Sequence, residues 1–122
     1  LMKKNSFNFI DKTIRPWGVF YVIHDEDNYK LKRIEVEPNQ KLSYQFHFKR
    51  SETWTIVEGK GSVVINDKLI HVNKGDFIQI PQESKHRLIN DSDNKLVLIE
   101  VQTGSYFGED DIVRLEDDYN RE

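Results

Sequence analysis

The sequence predicts an all-β protein in which short strands form a sandwich or a barrel. About nine or ten segments are rich in β-branched and aromatic residues, and turn-forming residues separate them at intervals of roughly 8 to 12 positions. No long segment repeats apolar residues with the period of an amphipathic helix. No linker, internal repeat or low-complexity tract divides the 122 residues, so we expect one domain around one core.

Turn-forming residues set the boundaries of the predicted elements along the chain. Residues 1–14 are expected to form an arm with one short strand, and the segment 15–18 turns because its proline fixes φ and its glycine permits a reversal. The pair at 66–67, asparagine and aspartate between two apolar runs, predicts a two-residue hairpin. Residues 109–122 form an acidic tail, expected to face solvent and to add a short strand or helix that packs. The remaining strands are predicted at residues 19–23, 29–37, 42–48, 53–57, 62–65, 68–72, 77–80, 86–90 and 95–102.

Composition excludes several classes of protein. The chain has 18 lysine and arginine residues and 21 aspartate and glutamate residues, a formal net charge of −3, which argues against a general nucleic-acid binder. No stretch approaches the roughly 18 to 20 apolar residues that cross a bilayer, so no membrane partner is expected. The chain has no cysteine, so any metal must be held by histidine, carboxylate or amide oxygen. These features fit a cytoplasmic location.

Two stretches carry the residue types of a metal site. Gln45 and His47 are two residues apart in a predicted strand, so their side chains can face the same side. Glu52 follows after a tight turn, on the apolar side of the next strand. If His86 enters the same interior from a later strand, two imidazoles, a carboxylate and an amide oxygen can surround one ion, a set that suits a borderline divalent metal.

The same stretches resemble the paired motifs of the cupin superfamily. The first motif is Gly, five residues, His-x-His, three or four residues, Glu, six residues, Gly, and the second is Gly, five residues, Pro-x-Gly, two residues, His, three residues, Asn. Asn39 and Glu83 stand where these motifs have glycine, and Gln45 stands at the first histidine. The other matching positions are His47, Glu52, Gly59, Gly75, Pro81, His86 and Asn90. The resemblance implies a cupin barrel (a double-stranded β-helix, or jelly roll) formed by residues 1–122, with a short N-terminal arm and an acidic C-terminal tail.

Further matches narrow the resemblance to one group of cupins. They read, in order, RPWG at 15–18, YKLKRI at 29–34, LSYQxH at 42–47, ExW at 52–54, HRL at 86–88 and IEVQTGSYxGEDDIVR at 99–114. Together they resemble the C-terminal domain of bifunctional mannose-1-phosphate guanylyltransferase/mannose-6-phosphate isomerase, the type II phosphomannose isomerases, from about Arg15 to Arg121. A glutamine at the first ligand position is normal in that family. Nothing in the sequence resembles a nucleotidyltransferase domain, so guanylyltransferase activity is not expected from these residues.

This resemblance implies a metal-dependent aldose–ketose isomerase. Its reaction would interconvert mannose 6-phosphate and fructose 6-phosphate through an enediol, and its metal ligands would be Gln45, His47, Glu52 and His86. Zinc is the expected metal, with manganese, iron, cobalt or nickel as alternatives. The chain departs from the family where a run of histidines and one further histidine are replaced, and the replacing residues are Phe48, Lys49 and Thr53.

The reaction also requires a proton carrier and a partner for the phosphate. Lys32 and Glu100 are the candidates for proton transfer. Lys32 shares a strand face with Ile34 and Val36, which should be buried, and Glu100 lies in an apolar strand, so both are expected to point inward. Arginine binds phosphate in a bidentate manner, and Arg87 follows a predicted ligand directly. The other cations that could bind the phosphate are Lys49, Arg15 and Arg33.

Two other functions stay open at this point. His47, Glu52 and His86 alone form the two-histidine, one-carboxylate set of non-haem iron oxygenases, although Gln45 as a fourth ligand leaves fewer positions for oxygen. The chain could also be a non-catalytic sugar-binding cupin. In each case we expect a homodimer, because a small barrel leaves edge strands that a second copy can cover.

Overall fold

A computed structural model describes residues 7–116, and within that range the chain forms twelve strands and no helix. The all-β prediction is therefore confirmed. No helix capable of crossing a membrane is found in the described range. The strands are β1 (Asp11–Arg15), β2 (Gly18–Asp25), β3 (Lys30–Val36), β4 (Gln40–Lys41), β5 (Tyr44–Phe46), β6 (Arg50–Glu58), β7 (Lys60–Ile65), β8 (Lys68–Asn73), β9 (Phe77–Ile80), β10 (His86–Asn90), β11 (Leu96–Gly104) and β12 (Val113–Glu116).

The strands form two sheets with the crossed connections of a jelly roll. One sheet has the order β1-β2-β3-β11-β6-β9, and the other has the order β12-β5-β10-β7-β8, with β4 beside β10. Every described strand pair is antiparallel. The sheets are not hydrogen-bonded to each other along these orders, so side-chain packing, and not a closed barrel of backbone bonds, holds them together. The predicted double-stranded β-helix is confirmed in this open form.

Strand parity divides the interior into an apolar end and a polar end. In β3, β6 and β11, alternate side chains are buried, as expected for strands with one face on a core. Ile34, Leu98 and Ile56 lie side by side across the three strands and belong to the apolar core. The next inward row is Lys32, Glu100 and Trp54. Charged side chains therefore enter the interior at one end of the sheet, and that end holds the candidate site.

Two positions where the cupin motifs have glycine keep the backbone that glycine favours. Asn39 has a φ of 60° and Glu83 a φ of 64°, both in the left-handed region. The predicted hairpin at Asn66 and Asp67 is confirmed, with φ of 46° and 69°, as a type I′ turn requires. The turn geometry is thus retained even where the glycine is not.

The strand predicted at 42–48 is shorter in the structure. β5 covers Tyr44–Phe46, and His47 lies just beyond its end. The N-terminal arm contains the expected short strand, β1. The described part of the acidic tail adds β12, which pairs with β5, so this part of the tail packs against the first ligand strand. Residues 1–6 of the predicted arm and 117–122 of the predicted tail lie outside the described residues.

Candidate metal centre

Two imidazoles and one carboxylate meet in the polar half of the interior. His47, Glu52 and His86 are all buried, and each offers a ligand atom within 4.8 Å of the others. The Nε2 atom of His47 lies 3.3 Å from Oε2 of Glu52, and Nε2 of His86 lies 3.9 Å from Oε1. The three side chains come from the loop after β5, from β6 and from the first residue of β10. The structure therefore brings together groups that are up to 39 residues apart in the sequence.

Backbone carbonyl groups orient both imidazoles toward the carboxylate. Nδ1 of His47 donates to the carbonyl of Asp111 over 2.5 Å, and Nδ1 of His86 donates to the carbonyl of Ser84 over 2.9 Å. In the neutral form of each ring, Nε2 therefore carries the lone pair, and both Nε2 atoms lie beside Glu52. This is how metal-binding histidines are held in proteins. Burial lowers the pKa of His47 to about 4, so its ring is neutral at pH 7, as a ligand must be. The donor set fits a divalent metal.

Gln45 lies beside these three residues. Its backbone is paired with that of His86 between β5 and β10, and its half-buried side chain lines the same cavity as His47, Glu52 and His86. Paired residues in a sheet share a face, so the pairing explains how the amide reaches this space. Its role as a fourth ligand stays a prediction.

A second carboxyl group lies against the first. Trp54 Nε1 donates to both Glu52 Oε1 and Glu100 Oε1, each over 3.0 Å, and Gln102 Nε2 donates to Glu100 Oε2 over 2.6 Å. Burial, and then the Glu52 charge, raise the pKa of Glu100 well above its ordinary value. Burial acts in the same direction on Glu52, but the neighbouring His86 and Arg50 side chains outweigh it and lower the pKa of Glu52. One carboxyl of the pair is thus ionised, and the other keeps a proton.

The site opens into a cavity of about 100 Å³. Lys32, opposite Glu100 in the β3–β11 register, lines this cavity, forms an ion pair with Glu109 and lies 4.2 Å from the centre of the Phe20 ring. Lys32 and Glu100, both predicted as proton carriers, are thus close to the proposed ligands. The cationic side chains that line the cavity are those of Arg15, Lys32, Arg50 and Arg114.

The structure does not bring Arg87 to this group. Arg87 follows His86 directly in β10, and consecutive side chains of a strand point to opposite faces. Its guanidinium donates to the backbone carbonyls of Leu42 and Glu116 and does not line the cavity. Its proximity in sequence to a ligand therefore does not indicate proximity in space.

Two further cations considered for the phosphate also lie outside the cavity lining. Lys49 is exposed, and its ammonium lies 5.2 Å from the centre of the Tyr106 ring. Arg33 pairs with Glu35 over 2.9 Å. Of the four cations predicted for the phosphate, Arg15 lines the cavity.

Three residues of the site had no predicted role. Arg50 is buried beside Glu52, and its inward parity with Glu52 and Trp54 was a signal available in the sequence. Asp111 and Glu109 lie in the segment that returns from β11 to β12. Both belong to the matched stretch 99–114, but that match gives them no role, because their position beside the proposed ligands depends on how this segment crosses from one sheet to the other.

Comparison with known proteins adds a family and several relatives. The family described as mannose-6-phosphate isomerase C-terminal matches residues 3–117. A mannose-1-phosphate guanylyltransferase of Salmonella muenchen is 41% identical over 118 residues, which cover 94% of this chain and 25% of that protein. The alginate biosynthesis protein AlgA of Pseudomonas aeruginosa is 43% identical over 107 residues, 88% of this chain and 22% of that protein. The chain thus spans about a quarter of the length of these curated relatives.

Solved structures share the fold at low sequence identity. The capsular polysaccharide assembling protein CapF of Staphylococcus aureus superposes with a TM-score of 0.76 at 22% identity, covering 91% of this chain and 35% of that one. A Klebsiella pneumoniae protein with a double-stranded β-helix domain superposes with a TM-score of 0.69 at 18% identity, covering 79% of this chain and 77% of that one. At these identities the likeness concerns the fold alone.

Proposed function

Because the chain belongs to the mannose-6-phosphate isomerase C-terminal family, we propose that it is a metal-dependent isomerase that interconverts mannose 6-phosphate and fructose 6-phosphate. The observation that carries the proposal is the convergence of two imidazole Nε2 atoms on one buried carboxylate, beside a cavity lined with cations. Guanylyltransferase activity, which the names of several relatives state, is not proposed for these residues.

His47, Glu52 and His86 would hold the metal, with Gln45 as a fourth ligand. The two imidazole nitrogens and two oxygens suit zinc, and manganese, iron, cobalt and nickel accept the same donors. When bound, the metal supplies a Lewis acid that polarises the sugar carbonyl and stabilises negative charge on its oxygen. The protein supplies the rest of the chemistry.

Proton transfer is assigned to Lys32 and Glu100. The isomerisation removes a proton from C2 of the aldose and returns one to C1, while the hydroxyl proton moves between O2 and O1. Glu100 keeps its proton because it is buried beside Glu52, so it can donate at a sugar oxygen. Lys32 lies opposite Glu100 in the sheet and forms an ion pair with Glu109. Once its ammonium passes a proton to Glu109, the neutral amine can take the proton from C2 and return it to C1.

The charge of the cavity favours an anionic substrate. Among the described residues that line it, four side chains are cationic and two carboxylates, those of Glu52 and Glu109, are ionised, while Glu100 is protonated. Glu52 is assigned to the metal, so the lining keeps an excess of positive charge. A phosphate dianion fits this excess, and Arg15 is the predicted phosphate residue in a position to bind it.

The test is a coupled assay of fructose 6-phosphate formation from mannose 6-phosphate. The purified chain is stripped with a chelator and then given Zn²⁺, Mn²⁺, Co²⁺ or Fe²⁺ in turn, with H86A as the control and a thermal melt to verify folding. Metal-dependent turnover that H86A lacks is the expected result. If the folded protein binds metal but shows no turnover with any of these ions, the result contradicts the proposal and favours a sugar-binding cupin. Oxygen uptake with Fe²⁺ would instead indicate an oxygenase.

We also propose a homodimer. Large apolar side chains are exposed on two edge strands, Ile14 of β1 at 74% and Phe77 of β9 at 70%, and unpaired strand edges of this kind are commonly covered by a partner. Light scattering after size exclusion should give twice the 14.5 kDa chain mass. A single-chain mass at micromolar concentration contradicts this.

A further inference from the structure

Arg50 lies among the proposed ligands and contacts two of them. It is the first residue of β6, it faces the interior, and it is 6% exposed. Its Nε donates to Oε2 of Glu52 over 2.9 Å, and its Nη2 lies 3.2 Å from Nε2 of His47. The guanidinium therefore touches the same atoms that a metal would use.

The contact with His47 uses the lone pair that a metal requires. Since Nδ1 of His47 donates to the Asp111 carbonyl, Nε2 is the acceptor and Nη2 of Arg50 is the donor. A metal bound to this nitrogen would lie about 2.0 to 2.1 Å from it, on the lone-pair side of the ring. The guanidinium and the ion cannot both hold this lone pair, and as like charges they repel each other.

The guanidinium also lacks part of its hydrogen bonding in its observed position. Its Nη1 is buried and has no hydrogen-bond partner among the described residues. A buried donor without an acceptor is unfavourable, so less is lost when the group rotates away. The cavity gives it space, and Glu109 lines the same cavity. Burial raises the pKa of Glu109, but the charges of Lys32 and then of Arg50 outweigh it and lower that pKa, so Glu109 lies within the electrostatic reach of Arg50.

We propose that Arg50 competes with the divalent metal for His47 and Glu52, and that metal binding displaces its guanidinium toward the cavity. There the guanidinium becomes available to an oxygen or phosphate group of the substrate. The inference rests on the metal site of the proposed function but not on isomerase turnover. Competition and a supporting role predict opposite changes in metal affinity when Arg50 is replaced. If Arg50 merely oriented Glu52, it would strengthen metal binding, and its loss would weaken the affinity by about 10- to 100-fold.

The test measures Zn²⁺ affinity by competition with a fluorescent chelator, using chelator-stripped wild type, R50M and R15M. R50M should bind Zn²⁺ about tenfold more tightly than wild type or better, because charge-assisted hydrogen bonds that oppose the metal have been removed. R15M removes a cation from the same cavity lining without touching a ligand, and its affinity should stay within about threefold of wild type. Unchanged or weaker binding by R50M, or equal tightening by R15M, overturns the inference.

A measurement on the wild type guards against a variant that folds poorly. In ¹⁵N spectra of the side chains, titration with Zn²⁺ should shift the nitrogen resonances of the His47 ring and of the Arg50 guanidinium. Both shifts should reach their midpoints at the same Zn²⁺ concentration. A His47 shift with no change at Arg50 overturns the inference, as does failure of both wild type and R50M to bind Zn²⁺. Tighter binding by R50M in a chain that shows no turnover supports the inference while contradicting the isomerase proposal.

Discussion

Substitution of Asp111 should loosen the metal site from outside it. The Asp111 carboxylate accepts hydrogen bonds from the backbone amides of Phe48, over 3.1 Å, and Lys49, over 2.9 Å. Its own carbonyl accepts from Nδ1 of His47. One residue of the segment between β11 and β12 thus holds the loop that carries a proposed ligand. We expect D111A to lower both the stability of the fold and the affinity for metal.

The structure sets the size of both effects. Hydrogen bonds to charged groups contribute about 1.5 to 3 kcal/mol each, and the lower figure applies because the two amides are only partly buried. Loss of both predicts a decrease of roughly 3 kcal/mol in the free energy of unfolding, and D111N, which keeps one acceptor oxygen, should lose about half of this. D111A keeps the carbonyl that accepts from His47 but releases the loop that carries His47, so this proposed ligand is less well oriented and Zn²⁺ affinity should be about tenfold weaker.

Urea denaturation of the stripped protein and Zn²⁺ competition measure the two effects separately. D110A is the matched control, because the exposed Asp110 side chain accepts a hydrogen bond from the Tyr106 hydroxyl and, among the described residues, from no backbone amide of the loop that carries His47. It should match wild type in both measurements. If D111A binds Zn²⁺ as tightly as D110A does, then the Asp111 contacts do not position His47, and the reasoning is refuted.

Three other substitutions test separate parts of the molecule. E83G should raise the free energy of unfolding by roughly 0.5 to 1 kcal/mol in chemical denaturation, because it relieves the left-handed strain of about 1 to 2 kcal/mol at the cost of a more flexible unfolded chain; a loss of stability contradicts this. E100Q should remove a pH dependence. Burial, then Glu52, raises the pKa of Glu100 to about 8, so folding takes up a proton and wild-type stability should fall as pH rises from about 6.5 to 8. The lowered pKa of His47 acts only below its unfolded value of 6.5, where it makes stability rise with pH. Denaturation of stripped samples at several pH values should show a flatter profile for E100Q, and equal slopes would count against a protonated Glu100. K32M should reduce turnover about 100-fold or more while leaving Zn²⁺ affinity near that of wild type, since Lys32 contacts no proposed ligand; coupled assays and chelator competition decide it, and full activity excludes Lys32 from proton transfer.

The sequence predicted which side chains of a strand face the interior, and this alternation accounts for much of the fold. Lys32 has the same parity as the apolar residues Ile34 and Val36, Glu100 has the same parity as Leu98, and the structure buries both charged side chains. What parity could not give is the register that sets Glu100 opposite Lys32 and beside Trp54. Register between β3, β6 and β11 depends on the connections, because these strands are far apart in sequence.

The sequence shows where a residue other than glycine stands at a cupin-motif glycine, but it does not show what the replacement does to the turn. Asn39 and Glu83 replace motif glycines, and a sequence alone does not show whether the turn has changed or the residue is strained. Both keep positive φ in the structure. Asparagine tolerates this region through its short polar side chain, whereas glutamate has no such compensation. The two substitutions therefore have different energetic consequences at equivalent backbone geometry.

The arrangement around His47 was beyond the reach of a local pattern. The sequence predicted one strand through residue 48, whereas β5 ends at Phe46, because the next amides bond to a carboxylate from the tail segment instead of to a neighbouring strand. Asp111 thereby ends the strand, turns the loop and fixes the tautomer of His47 at once. A residue with three such roles cannot be found by spacing within a motif, because each role depends on the return of the chain from β11 to β12. It follows that the geometry of this candidate metal centre depends on the C-terminal segment as directly as on the motif that contains the proposed ligands.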